Sequence, residues 1–155
     1  MKIKKTFIIA EAGVNHNGNL GIAKKLILEA KKAGADAVKF QSFNADKLAN
    51  INTPKVKYQK KNSDTKETHH EMLKSLELSQ KDTKKLFNYC KLKKIEFIST
   101  PYDVDNAKFL FKLGVKRFKT ASADLSDYFL HRYLSTTKRE VIISTGMTNI
   151  EEIEE

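Results

Sequence analysis

Cysteine occurs once in this 155-residue sequence and proline twice, and no apolar run approaches the length of a membrane span. A single thiol cannot close an internal disulfide, so the fold must be held without one. Cys90 sits in the helical pattern LFNYCKL beside Leu86 and Phe87, where it is expected to pack as a small hydrophobe with no redox role. A membrane helix needs about 18 apolar residues or more, and the opening MKIKKTFIIAEAG has a shorter segment with no small-residue cleavage site after it. A soluble, cytoplasmic protein with no membrane partner is the expectation. With 40% hydrophobic residues, the chain can build one ordinary core but not two comfortable domains.

Charge is not scarce, and the formal net charge is +10. Its distribution argues against nucleic acid as a partner. The lysines fall in short runs (KIKK, AKK, QKK, DTKK, KLKK) along the whole chain, and no aromatic residues alternate with them as base-stacking platforms would. They are expected on solvated outer helix faces, where a general positive field would still attract an anionic metabolite.

Five apolar, β-branched runs recur, each ending in polar residues: TFIIAE, DAVKFQ, IEFIST, VKRFKT and EVIIST. Helical periodicity follows them over 20–33, 81–92, 104–113, 128–134 and from 150 onward, with a long polar stretch before the second helix. Ile22, Ala23, Leu26, Ile27, Ala30 and Ala33 form one stripe stopped by Gly34; Ser79-x-x-Asp82 resembles a capping box, and Gly114 closes the third helix. Strands alternating with helices through short loops imply parallel pairing and right-handed crossovers.

In parallel α/β folds, ligands bind at the carboxyl ends of the strands. The residues there are Glu11 with Asn15 and His16; Lys39 and Gln41; Ser99, Thr100 and Pro101; Lys119, Ser122 and Asp124; and Ser144, Thr145 and Gly146. The segment EAGVNHNG after the first strand carries more polar chemistry than a turn needs. Two lysines, several hydroxyls and a glycine-containing turn are what an oxyanion such as phosphate requires.

The segments IIAEAGVNHNGNLGIAKKLILEAKKAGADAVKFQ, EFISTPYD, FKTASAD and VIISTGM, in this order, resemble the N-terminal part of the sialic acid synthases. That family comprises N-acetylneuraminate, legionaminate and pseudaminate synthases and related spore-coat polysaccharide proteins. The resemblance covers essentially all 155 residues. It implies an α/β fold of TIM-barrel type, here about the first five βα units of an eight-fold parallel barrel. The implied reaction condenses phosphoenolpyruvate with an N-acetylated hexosamine to a nine-carbon 2-keto sugar acid, releasing phosphate. Lys39 and Lys119 then match the lysines that hold phosphate and carboxylate, with Thr100, Ser122 and Ser144 on the same ligand. Glu11 and Gln41 match positions at the reacting centre and the sugar; Asp124 matches a polar position that is glutamate in many members, and Asn62 is a candidate for an asparagine that contacts the sugar.

The resemblance also implies what lies outside these residues. A divalent metal, manganese or magnesium, is expected for the full-length family, with histidine ligands on later strands. An antifreeze-like domain that completes a partner subunit's site is expected to follow the barrel. The 155 residues thus read as a fragment or shortened form, expected to self-associate into a homo-oligomer through unpaired strand edges. Phosphoenolpyruvate binding without condensation is expected of these residues alone. His69-His70 is a poor metal pair because adjacent side chains diverge; for His16, a loop-stabilising bond and a ligand contact both remain open. Two other functions are compatible with the residues: a Schiff-base aldolase using Lys39 or Lys119, and a non-catalytic remnant or assembly partner.

Overall fold

The computed structural model describes residues 6–51 and 68–154. Its parallel strands are β1 (Ile9–Gly13), β2 (Ala37–Ser42), β3 (Glu96–Pro101), β4 (Arg117–Lys119) and β5 (Glu140–Ile142). The helices are α1 (Leu20–Lys32), α2 (Ala45–Leu48), α3 (His69–Leu76), α4 (Gln80–Lys93), α5 (Val104–Leu113), α6 (Tyr128–Thr136) and α7 (Ile150–Glu154). The alternation of strand and helix is thus the one expected from the sequence. Asn62 lies outside the described residues.

Helix boundaries follow local chemistry. The Asn19 side chain accepts the Ile22 N–H at 3.0 Å and starts α1, whose buried stripe is Ala23, Ile27 and Ala30. Ser79 accepts the Asp82 N–H at 3.1 Å at the start of α4, and Asp103 accepts from Asn106 at 2.6 Å at the start of α5. Gly114, at φ +92°, ends α5 in the left-handed region that a side chain would disfavour. The polar stretch before α4 hides two helices. Thr68 and Glu71 cap α3 reciprocally, a full capping box, and Ala45 N–H donates to Glu77 to tie α2 to its end.

Strand alternation divides the sheet into two faces. Val38, Phe40, Phe97 and Phe118 point outward and join Ile27, Leu86, Phe87, Cys90, Leu110, Leu130 and Leu134 in the core beneath the helices. Burial pushes the Cys90 thiol up to about 12, so it stays protonated and inert. Lys39 pairs with Glu11 on β1 and Ile98 on β3, and Gln41 with Thr100, so these side chains share the opposite, inner face. The ladder runs β1-β2-β3 and separately β4-β5. At the amino ends, Arg117 bridges the two groups: its Nε donates to Glu96 at 2.8 Å and its Nη1 to Glu140 at 3.1 Å.

Candidate functional site

The carboxyl ends of the strands converge on an open cavity of about 420 Å³. β1 and its loop contribute Glu11, Gly13, Val14 and Asn15; β2 contributes Lys39 and Gln41. Thr100 enters from β3 and Tyr102 from just beyond it, Lys119 from β4 and Ala121 and Ser122 from just beyond it, and Ser144 from beyond β5. The structure therefore brings together Glu11, Lys39, Gln41, Thr100, Lys119, Ser122 and Ser144, all singled out from the sequence. A cleft of about 430 Å³ at the amino ends is lined by the exposed Lys91, Lys94 and Lys116, and lacks a buried cation.

Lys39 is the most constrained of these groups. Only 4% exposed, its ammonium lies 3.1 Å from Glu11 Oε1 and donates to Thr100 Oγ1 at 3.0 Å. Burial holds its pKa below the ordinary lysine value; the Glu11 carboxylate pushes it back up, and the nearby Lys119 lowers it again. Lys119 donates to Ser144 Oγ, and Ser122 Oγ accepts the Gly146 N–H at 3.2 Å. Two ammonium groups near enough to repel, fringed by three hydroxyls, form a site that a dianion would relieve.

Asp124 does not line this cavity. It lies in the short 3-10 turn Ser122–Asp124, where Oδ2 is buried with no partner among the described residues. Burial, reinforced by Asp127, raises its carboxyl above the usual carboxylate range. Its sequence position after the fourth strand gave no sign that its carboxyl would be buried in the turn.

Asn15 and Tyr102 do line the cavity, although the sequence reading gave them no ligand role. Their signal was available: Asn15 belongs to the polar cluster after β1, and Tyr102 stands two residues beyond Thr100, just past the end of β3. His69 and His70 start α3, where His70 Nε2 lies 2.8 Å from Asp46 Oδ1, an interaction that docks the helix.

His16 faces the core instead of the cavity. It is 1% exposed, its ring lies 6.0 Å from that of Phe40, and Nδ1 accepts the Gly18 N–H at 3.0 Å. It is a loop-stabilising residue, fixing a turn in which Asn17 and Gly18 both take positive φ. Burial holds its pKa below the usual histidine value. The unfolded chain therefore takes up a proton first as pH falls, and stability from the neutral ring is lost on acidification from about pH 6.5 downward. Urea unfolding between about pH 8 and pH 5 should show a smaller acid-induced loss for His16→Asn than for the parent; equal pH slopes would contradict this.

The NeuB family model matches residues 26–155. An N,N'-diacetyllegionaminic acid synthase of Legionella pneumophila is 48% identical over 147 residues, covering 95% of this chain and 41% of the relative. One from Campylobacter jejuni is 44% identical, covering 99% of this chain and 46% of the relative. The chain thus spans less than half the length of these curated relatives. The crystal structure of an N-acetylneuraminic acid (sialic acid) synthetase from Leptospira borgpetersenii, in complex with citrate, superposes with a TM-score of 0.80 at 33% identity. It is matched over 97% of this chain and 48% of that one, so the strands and helices described here form part of a barrel. The chain belongs to the NeuB family, whose members include the sialic, legionaminic and pseudaminic acid synthases.

Proposed function

We propose that this chain supplies the phosphoenolpyruvate side of a sialic-acid-type synthase. The observation that carries this reading is the convergence of Lys39 and Lys119, with Thr100, Ser122 and Ser144, on one cavity. In the proposed reaction, carbon 3 of phosphoenolpyruvate bonds to the aldehyde carbon of the open-chain amino sugar. Water then adds at carbon 2, and phosphate leaves with its bridging oxygen to give the 2-keto acid. Lys39 and Lys119 hold the phosphate and carboxylate charges. Glu11, half-exposed beside Lys39, stands at the reacting centre with a carboxylate able to accept a proton. Gln41 faces the sugar, and Asn62 remains a candidate sugar contact.

The two legionaminic relatives make products bearing two N-acetyl groups. Phosphoenolpyruvate contributes no nitrogen, so both acetamido groups must enter with the sugar. A diacetamido hexose is the acceptor we propose here.

A divalent metal, implied by the resemblance, does not fit the residues present. Among the described residues no three of His, Cys, Asp and Glu are grouped to hold one, and Glu11, the carboxylate lining the cavity, is paired with Lys39.

The aldolase reading draws on the lowered pKa of Lys39, since a neutral amine is the nucleophile for a Schiff base. Borohydride reduction in the presence of pyruvate, followed by mass spectrometry, separates the two. The synthase reading expects no adduct, together with phosphoenolpyruvate binding in a phosphorus NMR titration. A reduced adduct on Lys39 or Lys119 would overturn it.

A further inference from the structure

The cavity wall has two chemical halves. Lys39, Lys119 and their hydroxyl partners form one; Asn15, Gln41 and Tyr102 form the other, with two amides and the one aromatic ring that lines the cavity among the described residues. We propose that Tyr102 determines acceptor specificity, its ring forming the platform on which the acetamido-bearing face of the sugar rests. The proposal rests on the synthase reading.

Placement supports it first. Tyr102 follows Thr100 by two residues, at the bend just past the carboxyl end of β3, and lines the same cavity. Thr100 hydroxyl bonds the buried ammonium of Lys39, which fixes the depth of the anion. A second substrate that must reach carbon 3 of that anion enters from the rim side, past Tyr102.

Rigidity supports it second. The Tyr102 N–H donates to the Ser42 carbonyl at 3.1 Å, extending the β2–β3 ladder one residue past its last pair. Phe43, 5% exposed, meets the Tyr102 ring edge-on, with centroids 6.0 Å apart and planes at 85°. The ring is thus held before the ligand arrives, so little rotamer entropy is lost on binding. Aromatic faces pack against the C–H face of a sugar and against an acetamido methyl, while neighbouring amides such as Gln41 bond its hydroxyl and amide groups.

The test uses the 155-residue chain with phosphoenolpyruvate and a diacetamido hexose as the probe, and mannose as the control lacking acetamido groups. Saturation-transfer NMR should show the acetamido methyl as the most strongly saturated sugar proton. Tyr102→Ala should weaken the sugar about five- to tenfold, the equivalent of losing one aromatic contact, and leave phosphoenolpyruvate affinity within about twofold. Tyr102→Phe should retain sugar binding, and Tyr102→Leu, which keeps apolar bulk if the alanine variant fails to fold, should weaken it. An unchanged sugar affinity in a folded variant, equal binding of mannose, or no sugar binding by the loaded parent overturns the inference alone. Failure of the parent chain to bind phosphoenolpyruvate overturns the synthase reading beneath it.

Discussion

Lys39→Met is expected to weaken phosphoenolpyruvate binding by about 10- to 150-fold, and Lys119→Met by a factor toward the lower end of that range. A charge-assisted hydrogen bond contributes about 1.5–3 kcal/mol, and every 1.4 kcal/mol is roughly tenfold in affinity. The asymmetry comes from Glu11. Lys39 neutralises that carboxylate at 3.1 Å, so its loss removes an attraction for the incoming anion and uncovers a repulsion. Lys119 instead donates to the neutral Ser144 hydroxyl, and its removal uncovers no charge. Because Lys39 is buried, added salt should screen its contribution less than that of an exposed lysine. Calorimetric titration of parent and variants measures the effect. Equal affinities for parent and Lys39→Met would show that the anion binds elsewhere.

The second large effect concerns stability. Arg117 is 19% exposed at its side chain and Glu96 13%, and the guanidinium also bonds Glu140 and lies over the Phe7 ring at 4.4 Å. Arg117→Ala leaves the part-buried Glu96 carboxylate without its cation, which costs up to about 3–5 kcal/mol, the range for a fully buried pair. That is a large fraction of the stability of a small domain. Replacing both members of the pair by methionine should recover most of the loss, because breaking a buried pair costs more than removing it whole. Urea unfolding of the two variants makes the comparison. A loss below about 1 kcal/mol for Arg117→Ala would place the pair among solvated surface bridges.

Arg117 and Lys119 lie two residues apart on one inner strand face, yet serve opposite ends of the sheet. The amino-end residue ties strands together, and the carboxyl-end residue faces the cavity. This division keeps stability and ligand chemistry from competing for the same cation.

Much of this was legible because parallel α/β folds convert sequence order into spatial order. Once β2 and β3 are recognised, Lys39, Gln41 and Thr100 must share a face, and the strand-end rule puts them at the rim. The helices α1, α4 and α5 were legible for the same reason, through apolar period and caps. The short α2 and the eight-residue α3 were not, because α3 has no fully buried residue and is too short for its apolar spacing to stand out from the polar stretch around it. Its Thr68-x-x-Glu71 capping signature was present but sat within a long polar stretch. Asp124 eluded the same logic. The strand-end rule fixes where a strand delivers its residues, whereas the 3-10 turn after β4 keeps Ser122 on the cavity and leaves Asp124, two residues on, outside its lining.

The stacking of Phe40 on Phe97, at 5.7 Å, explains why the loop after β1 could be only half read. His16 packs against that aromatic layer, a contact between residues far apart in sequence that no local motif announces. Asn15, one residue earlier, turns to the cavity. A single polar cluster thus serves both the core and the ligand side.

In the proposed function, Lys39 and Lys119 grip one phosphoenolpyruvate at the carboxyl ends of the strands. A crystal structure of the chain grown with that ligand tests it most directly. The account predicts phosphate or carboxylate oxygens within about 2.7–3.2 Å of both ammonium nitrogens, the range of a formed hydrogen bond, with Thr100 and Ser144 on the same ligand. Phosphoenolpyruvate bound instead in the amino-end cleft beside Lys91, Lys94 and Lys116, with the Lys39–Lys119 cavity empty, would contradict it.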